Sequence, residues 1–264
     1  MSVYDRTPDN VIAFAPERRE RLRQIVQARR AVRIEDLRAE LGVSVATIRR
    51  DLDELEHDGS LRRVHGGAVS VDDRIVEARF EAKAAQRLPQ KQRIAERAAA
   101  LIGRDETIYL DSGSTCLELA RRLGGRDDLT VVTNSLPVIV ELAGRGPRII
   151  IIGGELRPLS QAIVGPLGLP IIDELYTDRA FMGTFSLSLE AGLTTTDPAE
   201  AFTKRQMLSR AREVALLADA SKLGTRAFAH AGRLDEIDLL ITDMAPDTLA
   251  QEAFDRAGVR VLVA

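Results

Sequence analysis

The 264-residue chain has one cysteine, Cys116, so no internal disulfide framework can staple it. Its three histidines are spread along the chain, which argues against a metal cluster, and no cofactor is expected. No apolar run approaches the roughly 18 residues needed to span a bilayer. The longest aliphatic block, 149–152, has the size of a strand. The first 16 residues lack a basic flank followed by a long apolar core, so they do not read as a secretory signal. They are expected as a disordered lead-in, and the cytoplasm is the expected compartment. Internal repeats are missing. So are the Walker-type loop and the GxGxxG fingerprint, which removes the usual reasons to expect a nucleoside triphosphate or a dinucleotide.

Positive charge is also scarce, at a formal net of −3, until the chain is divided. Residues 17–69 carry 12 Lys/Arg against 10 Asp/Glu, whereas residues 70–264 carry 24 against 28. The first domain is the basic one, though mildly, so where its arginines point matters more than their number.

What is present is concentrated in residues 41–52, Leu-Gly-Val-Ser-Val-Ala-Thr-Ile-Arg-Arg-Asp-Leu. Gly42 relaxes the backbone between two helices and Ser44 suits the cap of the second. Ile48, Leu52 and Leu55 repeat at helical spacing and give that helix one apolar face. The opposite face offers Val45, Thr47, Arg49 and Arg50, short and basic groups suited to a DNA groove. Helices are expected at 17–30, 34–41 and 45–57. After Asp58-Gly59, Leu61 to His65 alternates as a strand, and Gly66-Gly67 turns it back into Ala68-Val69. Three helices and a basic hairpin make a winged helix-turn-helix, with Arg62, Arg63, His65 and Gly66 on a wing along the phosphate backbone.

The boundaries read as lead-in 1–16, DNA-binding domain 17–72, linker 73–90 and effector domain 91–264. From 106 onward, strands are expected at 106–111, 129–133, 148–152, 178–183, 214–218, 238–242 and 259–263. Helices are expected at 115–123, 136–143, 167–174, 198–212 and 246–257. This alternation, with runs such as Ile149 to Ile152, indicates a mostly parallel sheet buried on both faces.

Ligands of such sheets sit where strands hand over to helices. Asp111-Ser112-Gly113-Ser114-Thr115 is such a junction, and its backbone N–H groups, hydroxyls and following helix could hold a phosphate; a bland capped turn is the alternative. Thr133-Asn134-Ser135 caps the next helix through Ser135 and leaves Asn134 open to a ligand. Gly153-Gly154 is either a backbone approach to a ligand or a tight turn. Asp219-Ala220-Ser221-Lys222 places Lys222 at a strand end, facing an anion or solvent. Thr196 to Glu200 reads first as a capping device, with Glu200 open to a ligand role. Cys116 reads as a small buried residue.

These residues resemble the DeoR family of bacterial transcriptional regulators. The resemblance is carried by Val43-Ser44, Thr47-Ile48-Arg49-Arg50-Asp51-Leu52, Leu55, Gly59 and Arg63-Val64-His65-Gly66-Gly67-Ala68. In the second domain it runs from Lys91 and Ile94-Ala95 through Asp111 to Thr115, Thr133-Asn134, Gly153-Gly154 and Gly192-Leu193-Thr194 to Asp219 to Lys222. It implies an α/β sensor akin in fold to ribose-5-phosphate isomerase and CoA transferases. It further implies a repressor of a sugar or polyol catabolic operon, a homodimer or homotetramer released from double-stranded operator DNA by a phosphorylated sugar or polyol. The effector site would comprise Asp111, Ser112, Gly113, Ser114, Thr115, Asn134, Gly153, Gly154, Glu200 and Lys222. The chain departs from the family at Phe185-Ser186, where a second glycine is usual, and at Lys83, where arginine is common. Two alternatives stand beside this reading. One is a pentose-phosphate isomerase with Asp111 or Glu200 as its base; the other is an activator with a vestigial pocket.

Overall fold

The computed structural model describes residues 14–29, 31–58, 60–64, 67–70 and 77–264, which form two compact units divided before Glu77. The first contains α1 (Ala15–Arg29), β1 (Ala31–Arg33), α2 (Ile34–Leu41), α3 (Val45–His57), β2 (Leu61–Val64) and β3 (Gly67–Ser70). Most of the expected lead-in lies outside the described residues, but its last part is helical, because α1 starts at Ala15 with Pro16 in its first turn.

Helical spacing places Leu22, Ile25, Val26, Leu37, Leu41, Ile48, Leu52 and Leu55 in one core, each at 5% exposure or less. Gly42 ends α2 in the left-handed region (φ +67°), its N–H bonded to the Arg38 carbonyl, and Ser44 caps α3 by accepting the Thr47 N–H at 3.1 Å. Arg18 of α1 reaches across to Asp51 of α3, with its Nε 2.5 Å from the carboxylate, so both charges are buried as a pair. The wing has one more strand than expected. Its antiparallel order is β1-β3-β2, and a Cβ at Gly67 would lie 2.1 Å from the Val32 carbonyl oxygen. Gly67 therefore lets β1 close onto the wing, and does not sit in a turn.

In the second unit α4 (Phe80–Ala85) and α5 (Leu88–Ala99) precede the sheet. Part of the stretch expected as linker, from Glu77 onward, thus belongs to this unit. The chain continues through β4 (Thr107–Leu110), α6 (Ser114–Ala120), β5 (Thr130–Thr133), α7 (Leu136–Leu142), β6 (Arg148–Ile151), β7 (Glu155–Arg157) and β8 (Ala162–Val164). Next come α8 (Leu169–Asp173), β9 (Thr177–Gly183), β10 (Ser186–Ser188), β11 (Gly192–Thr195) and α9 (Pro198–Leu208). The last elements are β12 (Ala211–Leu217), β13 (Ala229–Gly232), β14 (Leu239–Thr242), α10 (Thr248–Ala257) and β15 (Arg260–Val263).

Seven strands form one parallel sheet in the order β15-β14-β12-β9-β4-β5-β6, one for each strand expected from the sequence. Side chains alternate between its faces. Ile108, Leu110, Phe181 and Leu217 pack toward α5, α6 and α7, while Tyr109, Met182 and Leu216 pack in the core shared with α8, α9 and α10. The helix expected at 198–212 stops at Leu208, because from Ala211 the backbone pairs with β9. The short antiparallel pieces β7-β8 and β10-β11-β13 were not anticipated. No helix among the described residues is long and apolar enough to cross a membrane.

The sheet grows from β4 in both directions, β5 on one side and β9 on the other. Its topological switch, and the crevice such a switch leaves, therefore lies at the carboxyl ends of β4 and β9.

The two faces of α3 are expected to respond differently to mutation. Leu52→Ala, at a fully buried position, should cost about 3 kcal/mol in urea denaturation followed by circular dichroism. Arg49→Ala on the exposed face should change stability by less than about 0.5 kcal/mol. A comparable loss for Arg49→Ala would make that arginine a structural residue.

Candidate functional site

On the first unit, Arg49 and Arg50 stand exposed, and neither has an ion-pair partner among the described residues. Thr47 is half-buried beside the cap, with its hydroxyl 2.9 Å from that of Ser44, which is exposed. Val45 packs partly against the core. Arg63 is tied to α3. Its guanidinium is paired with Asp53, and its N–H donates to Glu56 at 2.8 Å, so it braces the wing against α3. The Arg62 side chain, His65 and Gly66 lie outside the described residues.

On the second unit a cavity opens at the switch. It is lined by the 112–115 loop after β4, the 183–185 segment after β9 and the 217–222 segment after β12. Gly113 adopts φ +133°, a region that side chains with a Cβ rarely enter. A Cβ on Gly183 would lie 3.0 Å from the Ser112 carbonyl oxygen, so this glycine lets the first two segments close together.

Asp111 does not line the cavity. Its fully buried carboxylate accepts the Gly183 N–H at 2.9 Å and is ion-paired with Lys204 of α9, and the Tyr109 hydroxyl lies 3.3 Å away. Burial works against the Lys204 charge, but Asp111 and Glu200 outweigh it and raise its pKa. Lys204 also donates to the Gly183 carbonyl at 3.1 Å. Asp111 is a strut beneath the site, not a free base, which removes the leading residue of the isomerase alternative.

Around the cavity most charges are matched. Lys83 pairs with Glu77 at 2.7 Å, and Arg87 lies 3.0 Å from Asp219 and 3.1 Å from Asp243. Two cations have no acid within 4.0 Å among the described residues. Lys91, at 5% exposure, donates to the Lys83 carbonyl, and burial pushes its ammonium down to about 8. Lys222 stands 5.7 Å from the centre of the Phe185 ring, and burial lowers its pKa as well. Neutralising these two charges from outside requires an anion.

Glu200 lines the cavity from α9. Its contacts are long: Thr195 Oγ1 and Arg157 both at 3.4 Å, and Lys204 at 3.8 Å. Burial raises its carboxyl pKa; Lys204 opposes this, while the like charges of Glu77 and Asp111 add to it. Burial would also raise Glu77, but Arg157 and Lys83 outweigh it and hold that carboxyl at about 2. Asp197 caps α9 by accepting the Ala199 and Glu200 N–H groups, both at 2.9 Å.

The structure thus brings Ser112, Gly113, Ser114, Thr115, Glu200 and Lys222 together around one cavity, but not Asn134, Gly153 or Gly154. Asn134 is used inside the fold, accepting from the Tyr109 hydroxyl at 2.9 Å and donating to the Ile163 carbonyl at 3.0 Å. A Cβ on Gly154 would lie 2.6 Å from the Val164 carbonyl oxygen, so that glycine permits the β7-β8 hairpin. Sequence reasoning missed Lys91 and Lys204 as site residues. Yet Lys91 precedes Ile94 by one helical turn, and Lys204 lies between Ala201 and Met207 at the same spacing, which puts both on buried faces. It also missed Arg87 and Ser160, which lie in a stretch taken as linker and in an unanticipated hairpin.

Residues 18–74 match the DeoR-like helix-turn-helix domain, and residues 86–244 match the DeoR C terminal sensor domain. The chain is 39% identical to the HTH-type transcriptional regulator GlpR of Haloferax volcanii, over 93% of this chain and 96% of that one. It is 32% identical to the lactose phosphotransferase system repressor of Streptococcus mutans, over 89% and 95% respectively. Ribose 5-phosphate isomerase A of Methanocaldococcus jannaschii superimposes with a TM-score of 0.38 at 20% identity, covering 50% of this chain and 53% of that one, a distant likeness.

The Glu77 network carries a pH signature. A carboxyl held at about 2 when folded stabilises the fold above its unfolded pKa and loses that contribution as pH falls toward 2. Glu77→Gln should therefore cost about 3 kcal/mol at pH 7, and the gap to wild type should narrow at pH 3.5. A gap that is equal at both pH values in urea titrations would remove the ion pairs as its cause.

Proposed function

Because the chain belongs to the DeoR family of transcriptional regulators, we propose that it represses a sugar or polyol catabolic operon and leaves its operator when a phosphorylated sugar or polyol fills the cavity. The observation that carries this reading is the pair of unmatched cations, Lys91 and Lys222, lining one cavity with the hydroxyls of Ser112, Ser114 and Thr115. A phosphate monoester supplies the missing negative charge, and its oxygens accept from ammonium, hydroxyl and backbone donors alike. The name of the Streptococcus mutans relative supports a sugar pathway.

On the DNA side, Arg49 and Arg50 lie about 100° apart around α3, so one reaches base edges while the other meets phosphate. One α3 helix reads only a half-site, so a homodimer or homotetramer presents a two-fold related pair to double-stranded DNA. Release needs only differential affinity. An effector that favours the non-binding arrangement ~100-fold, about 2.7 kcal/mol, empties a modestly occupied operator.

The test is a fluorescence-anisotropy titration of the full chain on the DNA upstream of its own operon, with a panel of sugar and polyol phosphates as competitors. Wild type should bind that duplex specifically and be released by at least one phosphate ester. Lys222→Ala should bind DNA as wild type does and resist release. Absence of specific binding, or normal release of Lys222→Ala, would contradict the reading.

A further inference from the structure

The turn of the β7-β8 hairpin carries a buried hydroxyl that the rest of the site leaves unexplained. Ser160 is 4% exposed, lines the cavity, and its Oγ has no hydrogen-bond partner among the described residues. An unbonded hydroxyl in such a position costs free energy unless something else occupies it.

Its neighbours are engaged on both sides. The Leu159 carbonyl accepts the Phe80 N–H at 2.9 Å, and the Gln161 carbonyl accepts the Leu136 N–H at 3.0 Å. The Gln161 side-chain amide donates to Glu81 at 2.5 Å. Gln161 itself sits at φ +52°, a left-handed conformation uncommon for a residue with a side chain. The turn is thus held in a strained shape by bonds that all bypass the Ser160 hydroxyl. Strain kept in place at a cavity wall is characteristic of ligand sites.

Glu200 lines the same cavity and is joined to this hairpin through Arg157 of β7. Among the described residues, the hydrogen-bond and ion-pair contacts of its carboxylate lie at 3.4 Å or longer, which leaves acceptor capacity on it. Besides its unmatched cations, the cavity therefore offers a hydroxyl that donates and accepts and a carboxylate that accepts. That is the complement of a carbon chain bearing hydroxyls, and it is distinct from the complement of a phosphate.

We propose that Ser160 is a specificity-determining residue, its hydroxyl hydrogen-bonded to a hydroxyl on the sugar or polyol part of the ligand while Glu200 accepts from the same part. This rests on the reading of the cavity as a phosphate-ester site. It adds the group that separates one phosphate ester from another and from phosphate itself. Ser160 tells an organic phosphate from a bare one.

The experiment measures affinities of the full chain for inorganic phosphate, glycerol 3-phosphate, ribose 5-phosphate, glucose 6-phosphate and glucitol 6-phosphate by isothermal calorimetry, in wild type and Ser160→Ala. Melting temperatures without ligand are recorded alongside. Wild type should prefer at least one ester over inorganic phosphate, and Ser160→Ala should reduce that preference about tenfold. The unliganded variant should melt at the wild-type temperature or above it, because the substitution removes a polar group with no partner in the protein. An unchanged preference in Ser160→Ala overturns the proposal while the phosphate-ester reading stands. A melting temperature several degrees lower also overturns it, by making the hydroxyl a structural one. If wild type binds no ester better than inorganic phosphate, the cavity reading fails and the proposal fails with it.

Discussion

A buried ammonium organises the second unit. Lys204, at 2% exposure, is tolerable only because Asp111 and the Gly183 carbonyl surround it, since an ion moved out of water costs several kcal/mol unless it is paired and hydrogen-bonded. Those partners stand at the carboxyl ends of β4 and β9, the two strands that flank the switch of the sheet, and Lys204 comes from α9 beside them. One interaction therefore ties three elements together where the crevice opens. It also uses up Asp111. With that carboxylate turned inward, Lys91 and Lys222 line the cavity with no acid within 4.0 Å among the described residues. Of the two carboxylates an isomerase could use as its base, Asp111 is locked to a lysine and turned away from the cavity.

The first unit follows a simpler constraint. The apolar side of α3 is committed to the core through Ile48, Leu52 and Leu55, and Asp51 is held by Arg18, so the helix cannot rotate in place. That leaves Arg49 and Arg50 outside. The wing depends on Gly67, without which β1 could not pair with β3.

Period and punctuation made much of this legible in the sequence. The seven parallel strands were visible because each is a short β-branched or aliphatic run between helical stretches, and α3 was visible because Ser44, the apolar stripe and the basic pair agree. The four consecutive site residues after β4 were legible for the same reason, since ligands gather where strands end. Long-range pairing was not legible. Nothing local shows that Lys204 will meet Asp111 across 93 positions, or that Asn134 will be used by Tyr109 and Ile163. The β7-β8 hairpin is only three residues on each strand, too short for alternation to register, so Ser160 stayed hidden with it. Glycine pairs were ambiguous in both units, because a glycine that admits a ligand and one that admits a neighbouring strand look alike in sequence.

On the reading proposed above, the buried Lys91 and the half-buried Lys222, neither matched by a nearby acid, make this cavity a sensor of phosphate esters. Calorimetry of the full chain against sugar phosphates and their unphosphorylated parents tests it most directly. Two charge-assisted contacts, together about 3 kcal/mol, predict that the best ester binds roughly 100-fold more tightly than its parent. Equal affinity for ester and parent, or no binding of any ester, would contradict it.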